Sequence, residues 1–238
     1  MHKQRGLSII EMMVALVISS LLIIGITQVY LDNRENTLFQ QSQGTNIENT
    51  RFSILLLEQT LAKTGYRRRP DETMEAAFPA DSACGGLAAG QVAKRLSDTS
   101  FCVRYQPAFP TTRSCDGNIP PGETSDPYAR RNPVTETFEL DDGELRCNGQ
   151  PIANGIEAIN FVYGVNNSDE KEVDEYRPDP ETNQRIRAVQ FAIMSASPTE
   201  VGKTAGSAAY EFWFSDAPTD KRLYTMLSSS TSMRNLMP

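Results

Sequence analysis

The twenty residues from Met12 to Leu31 carry no charged side chain and form the longest apolar run in the chain. A helix of that length rises about 30 Å, which matches the hydrocarbon core of a bilayer. Lys3 and Arg5 precede the run, and basic residues mark the cytosolic flank of a membrane span. The pattern predicts a transmembrane helix with a cytosolic N-terminus and with the remaining chain on the far side.

Three other interpretations of this run are weaker. A secretory signal peptide has an apolar region of only ~7–15 residues and a cleavage site of small residues after it, and no such site follows here. A buried core helix is disfavoured by the length of the uncharged run. A plain signal anchor fits the length but gives no reason for Glu11 at its edge.

The helix is predicted to continue past Leu31, because residues 32–63 lack proline and contain many helix formers. The polar stretch Ser42–Thr50 contains Gly44, so we expect a local break there. Gly65 is a C-cap candidate and Pro70 prevents resumption, so the helix should end near Thr64.

The C-terminal part of the chain shows strand patterns. From Pro70 to Asn132 the sequence is rich in loop-forming residues, with one predicted strand at Phe101–Tyr105. Beyond it, a hairpin is predicted at Asp141-Asp142-Gly143. The other predicted strands alternate apolar and polar positions: Thr135–Leu140, Glu144–Cys147, Ile159/Phe161/Tyr163, Val189/Phe191/Ile193, Tyr210/Phe212/Phe214 and Leu223–Leu227. One long helix followed by these strands predicts an α+β fold, in which the helix packs on an antiparallel sheet.

Charge and composition reduce the number of function classes that fit the chain. The formal net charge is −7, which argues against a nucleic-acid partner. The basic cluster Arg67–Arg69 is interpreted as a solvated turn after the helix. The only histidine is His2, so the usual general base and metal ligand is missing from the rest of the chain. Neither a nucleophile motif nor a metal-ligand spacing is present, so we predict that the protein is not an enzyme and has no cofactor.

The four cysteines are Cys84, Cys102, Cys115 and Cys147. None forms a C-x-x-C pair, which disfavours a structural zinc site. An even number in a chain that leaves the cytosol favours disulfides. Three pairings are open, of which we favour the sequential one, and four free thiols are the alternative.

The residues around Glu11 carry a more specific signal. A short basic leader ends in Gly6, and Leu7 begins an apolar segment interrupted by Glu11. A carboxylate near the membrane interior is costly and normally has a partner. The pattern resembles the class III signal of type IV prepilins and of pseudopilins from type II secretion systems, although this family usually has phenylalanine where this chain has Leu7.

The resemblance implies that a prepilin peptidase cleaves between Gly6 and Leu7 and that Leu7 is then N-methylated. Glu11 would pair with the N-terminal amine of a neighbouring subunit during assembly. The chain would divide into a cleaved cytosolic leader (1–6), the transmembrane half of the helix (7–31), its periplasmic half (32–65) and a disulfide-bearing β-rich globular domain (66–238).

Further segments resemble a PilW-type minor pilin; they are Ile47–Tyr66, Cys115-Asp116-Gly117, Leu145–Cys147, Gly155–Gly164 and Met233-Arg234-Asn235. The J-type minor pseudopilin of type II secretion shares this layout. The resemblance implies a subunit near a pilus tip that helps to initiate assembly and supports twitching motility and adhesion. Its partners would be other minor pilins, the major pilin, the prepilin peptidase, the inner membrane and a tip adhesin.

One acidic segment, Asn166–Glu181, remains outside these assignments. Calcium prefers several oxygen ligands, and Asp169, Glu172 and Asp174 are weak candidates. The spacing of a regular calcium loop is absent, so a solvated acidic loop or a contact with a partner subunit are the alternatives.

Two further function classes are weighed against the pilin. A membrane-anchored periplasmic hydrolase would need a nucleophile motif, a histidine or a metal site beyond the leader. A free-standing membrane-anchored binding module would not depend on Glu11, whereas a pilin would.

Overall fold

A computed structural model of the protein describes residues 8–120, 126, 128, 129, 131–168, 171–181, 184–215 and 218–237. A single helix, α1, runs from Ile9 to Lys63. Its 55 residues correspond to a length of about 80 Å. An 18-residue window near its start has a mean hydropathy of 2.6 with none of it buried, which fits a membrane span by length and composition.

The C-terminal end of α1 is capped by residues that suit that position. At the end, Gly65 has φ 73° and its amide donates to the Arg104 carbonyl at 2.9 Å. A Cβ at Gly65 would lie 2.8 Å from the side chain of Leu236, which would have to shift, and the positive φ strains any other residue at this position. Asn235 Nδ2 donates to the carbonyls of Ala62 and Thr64 at 3.1 and 3.0 Å, which satisfies acceptors that a helix end leaves open.

The break predicted within Ser42–Thr50 is wrong, since α1 is continuous through Gly44. Side chains of this polar stretch point at the domain instead of interrupting the helix. Thr50 Oγ1 donates to Ser195 Oγ at 2.8 Å, and Asn46 Nδ2 donates to the Leu223 carbonyl at 2.8 Å. Polar residues at helical spacing here form the buried contact between helix and sheet.

The strands of the described residues form two antiparallel sheets, not the one that the sequence suggested. The first has the order β1-β2-β3-β4-β5 and comprises Ala93–Ser97, Ser100–Tyr105, Val134–Asp141, Glu144–Cys147 and Gln150–Asn154. The second has the order β7-β6-β8-β9 and comprises, in chain order, Ile156–Asn166, Glu175–Arg177, Arg185–Glu200 and Arg222–Ser232. The α+β class is therefore confirmed, with two sheets against one helix.

The predicted hairpin joins β3 to β4. Asp141 pairs with Glu144, which leaves Asp142 and Gly143 as the two turn residues. Both have positive φ, 48° and 74°, as the tight turns of two-residue hairpins require. The Asp-Gly pair therefore sets the register of the first sheet.

The strand predicted over Tyr210, Phe212 and Phe214 is wrong. Residues Ala208–Phe214 form a helix, α3, whose N-cap Ser207 accepts from the Tyr210 amide. The rings of Tyr210 and Phe214 lie 5.3 Å apart, one helical turn from each other. Because Trp213 is also aromatic, the segment fits a helical period as well as an alternating one.

Several short elements were missed in the sequence. They are β1, β5, β7 and a four-residue helix, α2, at Met74–Ala77. Strand β5 contains Pro151 and forms a sheet edge, where proline is tolerated. Strands this short and exposed contain too few alternating apolar and polar residues to be recognised from the sequence.

The main core lies where α1 and the two sheets meet. Leu57 and Leu61 of α1 are fully buried against the second sheet, in one cluster with Phe191 and Ile193. The rings of Phe101 and Phe161 lie 4.8 Å apart edge to face and join the two sheets. Only the C-terminal half of α1 contributes to this core, because the buried residues of the helix begin at Asn46.

Two disulfides fix the first sheet to the segments around it. Cys84 is bonded to Cys102 on β2, and Cys115 to Cys147 on β4, which is the sequential pairing. Cys102 and Cys147 are fully buried. Each bond therefore ties a stretch of the irregular region between residues 70 and 132 to a buried strand.

We expect the two disulfides to contribute unequally to stability. The closed loops span 18 and 32 residues, so the chain-entropy model assigns about 3 kcal/mol to Cys84–Cys102 and about 4 kcal/mol to Cys115–Cys147. Urea unfolding of the full chain in detergent, followed by fluorescence of Trp213, would compare the double serine variants. Equal losses of stability in the two variants, or no loss in either, would contradict this prediction.

Candidate functional site

The first turn of α1 holds the carboxylate that the sequence singled out. Ser8 is the N-cap, and its Oγ accepts from the Ile10 amide at 3.3 Å. Glu11 Oε2 in turn accepts from the Ser8 amide at 3.1 Å. This is a capping box, in which serine and glutamate satisfy each other's backbone donors. Glu11 thus has a partner within its own chain.

The predicted cleavage residues Gly6 and Leu7 lie outside the described residues. The described helix begins one residue after Ser8. The segment that would carry the processed N-terminus is therefore adjacent to the carboxylate of Glu11 in sequence.

The helix that follows Glu11 exposes its apolar side chains on all faces. From Ile9 to Leu31 every large apolar residue is between 52% and 79% exposed. A helix that is apolar all round needs an apolar environment, either lipid or other helices. The length and composition of the N-terminal segment therefore fit a membrane span or contact with other apolar helices.

The other end of α1 is held by a buried ionic cluster that the sequence reasoning missed. Lys63 Nζ lies 2.8 Å from Glu136 Oε1 on β3, and Tyr105 OH donates to the same oxygen at 2.6 Å. The Cys115 amide donates to it at 2.9 Å. Glu136 is fully buried, so one carboxylate joins helix, two strands and a disulfide-bearing loop.

Burial and the neighbouring Glu136 carboxylate raise the pKa of Tyr105 well above its usual range. Tyr105 therefore stays protonated and remains a donor to Glu136 at any physiological pH. The Lys63 ammonium also lies 4.3 Å from the centre of the Tyr105 ring, which is within the range of a cation–π contact.

The alternation of β3 could have revealed Glu136. Glu136 and Phe138 are two residues apart and both are fully buried. Since side chains alternate across a strand, the face that buries Phe138 also buries Glu136. A carboxylate on that face requires a cation and donors, and Lys63 at the helix end supplies the charge.

The acidic segment Asn166–Glu181 is folded by local contacts. Asp174 Oδ2 accepts from the Asn167 amide at 3.0 Å, and Arg177 pairs with Glu181 at 2.8 Å. Glu172 is exposed, while Asp169 lies outside the described residues. In the part of the chain that the structure describes, no three acidic, histidine or cysteine side chains are grouped to hold a metal ion.

The interpretation of Arg67–Arg69 as a solvated turn is wrong for its middle residue. Arg68 is only 7% exposed. Its amide donates to Gln106 Oε1 at 2.8 Å and its Nη2 to the Asp126 carbonyl at 2.6 Å. The cluster anchors the chain after α1 instead of only facing solvent.

We expect replacement of Glu136 by alanine to destabilise the domain by about 2–3 kcal/mol, because Lys63 and two buried donors lose their shared acceptor. Glu136→Gln should cost less, since it keeps an acceptor oxygen. Glu139→Ala on the same strand is the matched control and should change stability by less than about 1 kcal/mol. Urea unfolding in detergent would measure all three, and equal losses for Glu136→Ala and Glu139→Ala would contradict the role of the cluster.

Parts of the chain match models of known protein families. Residues 124–235 match the family model of the type IV pilus-assembly protein PilW. Residues 1–27 match the prokaryotic N-terminal methylation motif. No curated protein matches the chain.

Among solved structures, the chain is similar to a type IV-like pilin from Thermus thermophilus. The TM-score is 0.51 at 13% sequence identity, and the match covers 81% of this chain and 97% of that one. At this identity the likeness shows the fold, a long N-terminal helix packed on antiparallel sheets. The chain therefore has a type IV pilin-like fold, and its residues 1–27 and 124–235 match the models of the N-terminal methylation motif and of the PilW family.

Proposed function

We propose that the protein is a minor pilin that helps to initiate type IV pilus assembly and lies at or near the pilus tip, where it supports twitching motility and adhesion. One observation carries the proposal. One chain combines a match to the prepilin signal, an exposed apolar helix with Glu11 at its start, and a later segment, residues 124–235, that matches the PilW family model. A free-standing enzyme would not need an apolar helix that is unpartnered on every face.

The proposed processing begins with cleavage between Gly6 and Leu7 and continues with N-methylation of Leu7. Residues 7–31 span the inner membrane, and residues 32–65 continue the helix into the periplasm. Residues 66–238 form the periplasmic domain. The two disulfides suit an oxidising compartment, and Lys3 and Arg5 suit a cytosolic leader.

Glu11 is the proposed assembly residue. In the single chain its carboxylate accepts from the Ser8 amide, so it is not left without a hydrogen bond beside the membrane interior. In a filament the N-terminal amine of a neighbouring subunit would offer a full positive charge, which is a stronger partner than a neutral amide. Exchange of one partner for the other favours packing of the helices side by side.

The proposed partners are the other minor pilins, the major pilin and a tip adhesin, with the prepilin peptidase acting during processing. Helix-to-helix contact through Ile9–Leu31 would serve the pilins, since that surface is apolar on all sides. The folded domain would carry the contacts that distinguish this subunit from the others.

Substitution of Glu11 separates its two roles. Glu11→Gln keeps an acceptor for the capping box but removes the charge, whereas Glu11→Ala removes both. We expect both variants to lose residues 1–6 normally, as mass spectrometry of the membrane fraction would show, and both to be missing from sheared pili. Ser8→Ala is the control, because it weakens the cap and leaves the charge. Normal pili with Glu11→Gln would mean that the cap, and not the charge, is what assembly needs.

A clean deletion in the native host tests the proposed function itself. We expect loss of surface pili and twitching with type II secretion of an exoprotein unchanged, and restoration by the wild-type chain. Loss of secretion with normal twitching would instead identify a J-type minor pseudopilin. Scoring both phenotypes in the same strain distinguishes the two systems.

A further inference from the structure

Strand β9 is an edge of the second sheet, and among the described residues only β8 pairs with it. The amides of Leu223 and Met233 both donate toward β8, to Ser197 Oγ at 2.9 Å and to the Arg187 carbonyl at 2.8 Å. The register between the two strands is unbroken from Tyr224 to Ser232, and backbone groups alternate sides along an antiparallel strand. The N–H and C=O groups of five residues therefore point away from the sheet; these outward residues are Tyr224, Met226, Ser228, Ser230 and Ser232.

The other three sheet edges carry features that oppose pairing with another chain. Strand β1 has five residues, two of which are Lys94 and Arg95. Strand β5 also has five and contains Pro151, and β7 has only three, with Glu175 and Arg177 among them. Short length, charge and proline are the usual protections of an exposed edge.

Strand β9 has none of these protections. It is 11 residues long, and from Leu223 to Met233 it contains neither a charged residue nor a proline. Charges flank this stretch at Arg222 and Arg234. The serines among the outward residues are exposed, and their small side chains leave the neighbouring backbone accessible. The edge is therefore open over its whole length.

The chemistry of the edge specifies the kind of ligand that fits it. A row of alternating N–H and C=O groups at the spacing of an extended chain is matched in full by the backbone of another extended chain. Glu58 of α1 accepts from Ser229 Oγ, and the half-buried Ile54 lies one turn earlier on the same helix face. An added strand would place alternate side chains on this face, where apolar ones fit. A charged side chain there would find no opposite charge on β9.

The direction of β9 identifies the source of that strand. Near its start, the Leu223 carbonyl accepts from Asn46 Nδ2 at 2.8 Å, and just after its end Asn235 caps the last turn of α1. Strand β9 thus runs in the same direction as α1. Two copies anchored in one membrane by Ile9–Leu31 would hold their β9 strands parallel, whereas two-fold pairing of identical edges needs antiparallel strands. A different subunit is therefore favoured over a second copy of this chain.

We propose that the outer edge of β9 accepts an uncharged, extended segment of a different pilin subunit, which joins the second sheet as an added antiparallel strand. This inference rests on the proposed function, because it takes the partner to be a pilin. Main-chain hydrogen bonds to the outward residues supply the affinity, and alternate side chains against α1 supply the specificity.

Hydrogen exchange tests whether the edge is open in the isolated subunit. The full-length mature chain in detergent would be exchanged into deuterated water, and amides of β9 would be resolved by fragmentation mass spectrometry. We expect the amides that face β8 to be protected and those of the outward residues to exchange as in an unpaired chain. Protection of both sets would overturn the proposal, because the edge would already be occupied.

Cross-linking in the native host tests the occupant. The photoreactive residue benzoylphenylalanine would replace Ser230, and the matched control would carry it at Gln150, which is exposed on the β5 edge. We expect a light-dependent adduct from position 230 to an uncharged segment of another pilin, identified by mass spectrometry. No adduct, an adduct only to a second copy of this chain, or the same adduct from position 150 would overturn the proposal.

Substitution at Ser230 tests the backbone pairing itself. Ser230→Pro removes one outward amide and no bond to β8, whereas Ser230→Ala keeps that amide. We expect piliation to fall roughly tenfold with proline and to stay unchanged with alanine. Ser230→Lys, with Gln150→Lys as its control, provides a second variant in case the proline chain does not fold, because a charge opposes strand addition.

The outcome in cells separates this inference from the proposed function. Normal piliation with a folded Ser230→Pro or Ser230→Lys chain would overturn the inference and leave the proposed function intact. Equal losses with Ser230→Lys and Gln150→Lys would also overturn it, since the effect would not belong to β9. If deletion of the whole chain left pili unchanged, the proposed function would fail instead.

Discussion

The structure depends on one helix that must satisfy two environments. Up to Leu31 the side chains of α1 are exposed and apolar, and from Asn46 onward one face of the same helix is buried against the second sheet. In a continuous helix the two halves have a fixed relative orientation, because the backbone hydrogen bonds are made within the helix itself. Leu57, Leu61 and the hydrogen bond from Thr50 to Ser195 therefore fix how the domain sits relative to the apolar segment Ile9–Leu31.

The end of α1 is where the rest of the domain is organised. Glu136 collects Lys63, Tyr105 and the Cys115 amide on one buried oxygen, while Asn235 binds the last carbonyls of the helix. A buried ion pair adds little net stability over an apolar substitute, but a buried charge without its partner is strongly destabilising. The pair therefore favours the one packing arrangement in which both charged groups are in contact. The cluster therefore sets the placement of the disulfide-bearing loop more than it increases stability.

The sequence predicts the features that depend on a local pattern of residues. It does not predict those that depend on contacts between residues far apart in the chain. The Asp142-Gly143 turn and the β6 and β8 alternation were visible, because turn chemistry and period-two burial are local properties. The burial of Arg68 was not visible, since it is compensated by groups far along the chain. The alternation of β3 indicates that Glu136 is buried, but it does not indicate that Lys63 is the cation that compensates it. Helix α3 was misassigned because aromatic residues at 210, 212, 213 and 214 fit both periods.

The capping box at Glu11 shows how a costly residue can be tolerated, and the proposed function would also make use of it. A carboxylate at the third helical position has a backbone donor within its own turn, so a single chain can hold it in the membrane without another subunit. A neutral amide leaves the negative charge itself uncompensated, and only a cation can remove that remaining cost. An amine brought in by a second helix would therefore be favoured most strongly where lipid excludes water. In the proposed pilin, the local hydrogen bond would permit the subunit to exist alone, and the uncompensated charge would favour its association.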